Sequence, residues 1–231
     1  MDRIEAEKII GNNRSVYNTI AHFFSGTRNF LWQDLKPLKR FAQPGDDILD
    51  VGCGNGRLYQ MFADLSIRYT GIDQSEELIQ IAKEKFPQAQ FFVSGMGKLS
   101  FSDASFDLVY CIAAFHHLPT EEHRQEALRE MHRVLKPGGK LLMTNWNLLG
   151  EFGKKQIEKG KYQKEGDRGF LVPWTEKKEA GNRWYYAFTL PELVQLFSDA
   201  GFEIEEQYYS KGESKSDQEK GENIISIVKK V

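Results

Sequence analysis

Three glycines at every second position, Gly52, Gly54 and Gly56, stand in the stretch DILDVGCGNGR at 47–57, with Asp50 just before them and Asp73 further on. Ile48, Leu49 and Val51 supply the apolar run of a buried strand. Such a strand, running into a glycine-rich turn and then a helix, leaves unpaired backbone N–H groups beside a space free of side chains. A pyrophosphate turn has the spacing G-x-G-x-x-G, whereas this one is G-x-G-x-G, and carboxylates on both sides would repel a pyrophosphate. An adenosine joined to an amino acid, with an ammonium and two ribose hydroxyls, is the better match. Asp73 closes the run RYTGID and can accept both ribose hydroxyls; its bland alternative is a helix N-cap, a role Ser75 can fill unaided. The adjacent His116 and His117 lack a third ligand at metal spacing, and sequence neighbours point apart, so no metal is expected. One of them is read as facing the reactants and the other as supporting its loop.

The elements that must hold these residues alternate along the chain. With 231 residues, 40% apolar and 28% charged, the chain is expected to form one α/β domain over 1–231. Its net charge of −2 gives no global attraction to a phosphate backbone. The charged first twenty residues, the lack of a long apolar run and two isolated cysteines, Cys53 and Cys111, suit a cytoplasmic protein with no membrane segment. Residues 1–43 read as a helical arm ended by Pro44-Gly45. Strands are expected at 47–52, 68–73, 90–93, 105–112 and 140–144, with helices at 56–64, 75–86, 121–135 and 191–199, the last capped by Thr189. Residues 145–188 form a connection too long for a simple link, with interleaved tryptophans and basic residues. They suit either a nucleic-acid face or a solvated lid. The chain ends in an antiparallel pair at 202–209 and 223–231, joined by a polar tip, 210–222, expected to be disordered.

DxGCGxG, the strand ending GIDQS and the stretch HRVLKPGGKLL at 132–142 resemble the class I S-adenosylmethionine-dependent methyltransferases. The resemblance implies a Rossmann-like α/β fold: a seven-stranded, mostly parallel sheet with an antiparallel last strand and helices on both faces. It implies S-adenosyl-L-methionine as cofactor, with S-adenosyl-L-homocysteine as product. The cofactor contacts it implies are Tyr17 and Arg28 from the arm, Asp50, Gly52, Cys53, Gly54, Asn55 and Gly56 at the turn, Asp73 and Gln74, then Gly95, Met96 and Ile112. Related enzymes carry an acid for the adenine amino group in the loop after the third strand. Here Met96 stands in that place and is expected to pack on the base.

Further blocks, VYNTIAHFFSGTRNFLW at 16–32, IAAFHHLPTEEHRQEALREMHRVLKPGGK at 112–140, LVPW at 171–174 and RWYYAFTLPELVQLFSDAGFE at 183–203, resemble the enzymes that methylate the carboxymethyl group on a transfer-RNA wobble uridine. This subgroup implies a tRNA anticodon loop as partner, with a small activating protein as a second. It implies substrate contacts at Trp174, Arg183, Tyr185, Tyr186 and Lys211, and His116 as the more pocket-directed histidine. The chain departs from the subgroup at Tyr186, where a histidine is usual, and around Lys211. An anionic acceptor needs no base, and Arg183 would orient it. A hydroxyl, amine or carbon acid would need His116 or His117 as base, which is the alternative of a small-molecule methyltransferase. A non-catalytic cofactor-binding scaffold is the third reading.

Overall fold

The computed structural model describes residues 1–28, 30–174 and 180–231. Its centre is β1 (Asp47–Val51), with Ile48, Leu49, Asp50 and Val51 all buried. It pairs in parallel with β2 (Arg68–Asp73) on one side and β4 (Phe106–Ile112) on the other. Covered on both faces, β4 shows an unbroken buried run, Leu108 to Cys111, rather than alternation. The small strand β3 (Gln90–Val93) extends one edge, and β5 (Leu135–Trp146) lies on the other side of β4. Beyond β5 come β11 (Asn223–Lys230), β9 (Phe202–Lys211) and β10 (Ser214–Ser216). The order is β10-β9-β11-β5-β4-β1-β2-β3. The chain leaves β1 toward β2 and later returns to its other side as β4, so the crevice of an open α/β sheet falls at the carboxyl ends of β1 and β4.

The sheet therefore has eight strands where the sequence predicts seven. The extra strand, β10, comes from the segment expected to be a disordered tip, and it pairs with β9 in the register Ser214 to Lys211. That segment is ordered by polar bonds, with no apolar side chains to signal it. Asn147 donates to the carbonyls of Gln218 and Gly221, and Asp34 accepts from Ser210 and Asn223. The expected antiparallel strand is present as β11, which runs against both β5 and β9. The helix expected after the glycine turn is a 3-10 helix, Arg57–Phe62, and β5 takes in the whole KPGG turn, with a register shift against β4.

The arm is a single 25-residue helix, α1 (Arg3–Thr27), followed by a 3-10 helix, Gln33–Phe41. Ala21 on α1 packs with Leu78 and Ile81 of α2 (Glu76–Lys85). Ser75 caps α2 by accepting the Leu78 N–H. α3 (Glu121–Val134) covers the other face of the sheet with Ala127, Leu128, Met131 and Val134, joined by α5 (Leu190–Asp199). Thr189 and Glu192 form a capping box at the start of α5. The long connection folds into α4 (Glu151–Glu158) and a second, antiparallel sheet of β6 (Gln163–Glu165), β7 (Gly169–Pro173) and β8 (Asn182–Tyr186). Among the described residues no helix is long and apolar enough to cross a membrane.

Candidate active site

A cavity of about 580 Å³ opens over the carboxyl ends of β1, β2 and β4, roofed by α1 and walled by β8. The turn after β1 makes room for it. Gly52 adopts φ +76°, and a Cβ there would lie 2.3 Å from the Cβ of Ala114, so only glycine lets the turn pass. Gly54 donates its N–H to Asp73 Oδ2 at 2.9 Å, while Ser75 donates to Asp73 Oδ1 at 2.9 Å. The Asp73 carboxyl is thus both a local cap and a lining group. Burial raises its pKa, against the pull of these N–H donors.

Asp50 is buried beneath the turn and accepts from the Tyr69 hydroxyl, while its Oδ1 has no partner. Burial pushes its pKa up to about 7, opposed by the Tyr69 hydrogen bond. Across the same cavity Arg57 is held against the Trp32 ring, 4.2 Å from its centroid, with Nη1 unpartnered. Burial and the charge of Arg28 lower the Arg57 pKa to about 10, so it remains a cation. Asn55 donates to Ser25 Oγ and to the Arg28 carbonyl, tying the turn to α1. An orphaned buried carboxylate oxygen and an orphaned guanidinium nitrogen in one cavity complement an ammonium and a carboxylate. The residues present therefore fit the amino-acid end of S-adenosylmethionine, and Asp73 lines the same cavity.

The end of the cavity beside β8 is aromatic and holds the buried cation Arg183. The guanidinium of Arg183 lies 5.7, 5.2 and 5.5 Å from the ring centroids of Tyr17, Trp174 and Tyr185. Its Nη2 donates to the Pro173 carbonyl at 3.4 Å, its Nε has no partner, and among the described residues no carboxylate pairs with it. Burial works against its charge, but the hydroxyls of Tyr185 and Tyr17 outweigh burial and raise its pKa. His117 lines the cavity, its Nε2 3.0 Å from the Tyr17 hydroxyl and its Nδ1 2.9 Å from the Trp184 carbonyl. Burial lowers its pKa to about 4, against the pull of the Trp184 carbonyl, so the ring is neutral at pH 7.

Most of the residues expected at the site come together here. Tyr17, Arg28, Asp50, Gly52, Cys53, Gly54, Asn55, Asp73, Gln74, Gly95, Met96, Ile112, His117, Arg183 and Tyr185 line the cavity. Gly56 does not. It is a packing glycine, because a Cβ there would approach Phe91 within 2.9 Å. The two histidines exchange the expected roles: His116 is fully buried behind His117, accepts the Trp146 N–H and does not line the cavity. Burial, then the neighbouring His117 and Arg183 charges, hold its pKa far below the usual histidine range. Tyr186 points to the opposite face of β8, where its hydroxyl donates to Glu192 and its ring meets Arg124. Lys211 sits at the exposed end of β9, 3.6 Å from Glu222. Trp174 lies behind Arg183 rather than on the cavity wall.

The sequence reading omits Arg57, Trp146 and Phe24, all of which line the cavity, and Asn13, which is fully buried behind it. It also omits two acids. Beside Met96, which packs partly on the core, Glu126 and Glu130 of α3 line the cavity end next to the loop 94–98. Glu130 is taken up by the Leu99 N–H and Arg133.

The open α/β sheet and a glycine turn flanked by two strand-end aspartates define a cofactor-binding domain of the nucleoside type. The methyltransferase domain family matches residues 49–143. A putative methyltransferase of Encephalitozoon cuniculi is 32% identical over 190 residues, 81% of this chain and 85% of its own length. The mouse tRNA (carboxymethyluridine(34)-5-O)-methyltransferase ALKBH8 is 34% identical over 166 residues, which are 71% of this chain but 24% of that protein. The chain thus spans about a quarter of that relative's length. Among solved structures, a SAM-dependent methyltransferase of Methanosarcina mazei superposes with a TM-score of 0.69 at 27% identity, covering 84% of this chain and 97% of that one. The putative methyltransferase in complex with the Haloferax volcanii Trm112 methyltransferase activator has the same fold, with a TM-score of 0.66 at 20% identity over 94% of this chain and 96% of that one. The chain belongs to the class I S-adenosylmethionine-dependent methyltransferases.

Proposed function

We propose that this enzyme methylates a carboxylate, and that the carboxylate is the carboxymethyl group of a uridine in a transfer-RNA anticodon loop. The observation that carries the reading is Arg183, a buried cation in an aromatic box with no carboxylate beside it among the described residues. An uncompensated buried charge is costly, and an anionic acceptor would relieve it while being oriented by it. S-adenosylmethionine, when bound, supplies an electrophilic methyl group. Asp50 and Arg57 would hold its amino-acid end, Gly52, Cys53, Gly54 and Asn55 would supply the turn, and Tyr17 and Arg28 would close the arm over it. Asp73 and Gln74 would meet the ribose, with Gly95, Met96 and Ile112 around the base. A carboxylate is already ionised at neutral pH, so no base is required, which agrees with a His117 that is neutral and hydrogen-bonded at both ring nitrogens. Tyr185 would bound the acceptor on the side of β8.

Similarity to the carboxymethyluridine enzymes supports the RNA part, as do the unpaired lysines Lys159, Lys161 and Lys164 around the end of α4 and β6. These have no ion-pair partner among the described residues and would meet phosphates. For the activating partner, the support is the fold shared with the activator-bound methyltransferase and the edge strand β3. There Phe92 and Val93 are 46% and 50% exposed, an apolar edge suited to a second protein.

A small carboxylic acid as acceptor is the second reading, favoured by a different observation. Lys154 and Lys155 are paired with Glu219 and Glu151, and Lys211 with Glu222, so much of the expected basic face is neutralised. The deciding assay offers transfer RNA with and without carboxymethyluridine, in the presence and absence of an activator protein, and looks for the methyl ester by mass spectrometry. Ester on the modified RNA alone upholds the proposal. No ester on either RNA, together with turnover of a small acid, replaces the acceptor.

A further inference from the structure

Asn13 is fully buried in the apolar face of α1 and commits both ends of its amide to one residue. Its Oδ1 accepts the Trp184 N–H at 2.7 Å, and its Nδ2 donates to the Trp184 carbonyl at 2.9 Å. β8 is the edge of the small sheet and pairs with β7 alone, so this amide satisfies a buried stretch of strand edge. The same Trp184 carbonyl lies 2.9 Å from His117 Nδ1.

A carbonyl oxygen can only accept, so at that distance Nδ1 carries the ring proton and Nε2 keeps its lone pair. The 3.2 Å approach of Asn13 Nδ2 to His117 Nδ1 then brings two donors onto one oxygen and is not a bond between them. On the other side of the ring, Nε2 must accept from the Tyr17 hydroxyl at 3.0 Å. With its proton so used, the Tyr17 oxygen accepts from the Tyr185 hydroxyl at 3.3 Å. The hydrogen bonds run one way, from Tyr185 to Tyr17 to His117 to the Trp184 carbonyl, and the rings of Tyr185 and Tyr17 are two of the walls around Arg183.

We infer that Asn13 is a positioning residue for the acceptor carboxylate: it fixes which nitrogen of His117 holds the proton, and through His117 it sets the two tyrosines that flank Arg183. The competing arrangement would place the proton on Nε2 and let the second N–H of the Asn13 amide donate to a bare Nδ1. It fails at the Trp184 carbonyl, which Asn13 holds in place 2.9 Å from Nδ1 and which would then face a lone pair on His117. The inference rests on the carboxylate-acceptor reading for its role, but not for its geometry.

Nitrogen-15 NMR of the histidine-labelled full chain at neutral pH tests it. The wild type is expected to show neutral His117 with the proton on Nδ1. Asn13→Ala is expected to mix the two tautomers and to raise KM for a carboxylate acceptor about tenfold, with a smaller change in kcat. A wild-type ring protonated on Nε2 would overturn the inference by itself, even if the variant does not fold. A folded N13A protein that keeps the Nδ1 tautomer and an unchanged KM would overturn it as well. Failure of the wild type to methylate any carboxylate counts against the acceptor reading, whereas an Nε2 proton counts against Asn13, so the two fail separately.

Discussion

Asp50 and Arg57 line one cavity with opposite charges, and each keeps one buried atom, Oδ1 and Nη1, without a hydrogen-bond partner among the described residues. A zwitterionic amino-acid group bound there would satisfy both at once, and that would have a consequence in protons. With its pKa raised to about 7 by burial, the Asp50 carboxyl is protonated below neutrality in the free protein. An ammonium beside it favours the ionised form, so binding must expel the proton.

At pH 6, calorimetry of S-adenosylhomocysteine binding in buffers of different ionisation enthalpy should therefore show proton release. Affinity should weaken as pH falls below about 7, by at most roughly tenfold per unit for one proton. Asp50→Asn should abolish the release. A binding heat independent of the buffer would show that Asp50 does not meet the ammonium.

The turn after β1 makes a stability prediction. Both positions have a positive φ, but Gly52→Ala puts a methyl 2.3 Å from Ala114 whereas Gly54→Ala meets Phe24 at 3.7 Å, so the two differ in packing and share the backbone strain. Overpacking typically costs about 1 to 3 kcal/mol, to which the left-handed backbone adds roughly 1 to 2 kcal/mol. Urea denaturation should find G52A clearly less stable than G54A, and equal midpoints would contradict the packing argument.

Asp73→Ala should weaken S-adenosylhomocysteine binding by about 1 to 3 kcal/mol, the scale for an unsatisfied or lost polar partner. Because Ser75 caps α2 through its own hydroxyl, the helix should persist. An unchanged dissociation constant in the folded variant would leave Asp73 with only its contacts to Gly54 and Ser75.

The cofactor half was legible in the sequence because its signals are local. The apolar run of β1, the spaced glycines and the aspartate closing β2 each report a backbone state that few other residues can provide. The acceptor half depends on contacts distant in the chain. Asn13 lies in the polar run Asn12-Asn13-Arg14 of α1 and carries no local sign of burial, because its partner is 171 residues away. Reading 183–186 as a strand would have separated the sides: Arg183 and Tyr185 face the cavity while Tyr186 turns away. The order of the tip 210–222 was hidden for a related reason. Its bonds are to backbone carbonyls and to Asp34, and neither leaves an apolar pattern.

The histidine pair bears on how rate depends on pH. A general base with an ordinary histidine pKa would put an inflection near pH 6.5 in kcat at saturating cofactor. Burial holds the His117 pKa at about 4, so its ring is neutral on both sides of that point. The kcat profile should be flat from about pH 5.5 to 8 with a carboxylate acceptor, whose own pKa lies below this range. An inflection near 6.5 that disappears in His117→Gln would restore the base and, with it, a hydroxyl, amine or carbon acceptor.

Substitution of Arg183 tests the acceptor reading apart from cofactor binding. Arg183 sits on β8, walled by Tyr17, Trp174 and Tyr185, and the orphaned buried atoms that fit the cofactor's amino-acid end belong to Asp50 and Arg57 instead. Arg183→Ala removes a charged hydrogen-bond donor worth about 1.5 to 3 kcal/mol, so kcat/KM for a carboxylate should fall roughly 10- to 150-fold. Arg183→Lys keeps the charge but not the planar fork, and should recover part of the loss. Binding of S-adenosylhomocysteine should change little in either variant. A parallel loss of cofactor affinity and turnover would mean that Arg183 serves the donor. Full activity of R183A on the carboxymethylated RNA would mean that the buried cation has a purely structural role and the acceptor is oriented elsewhere.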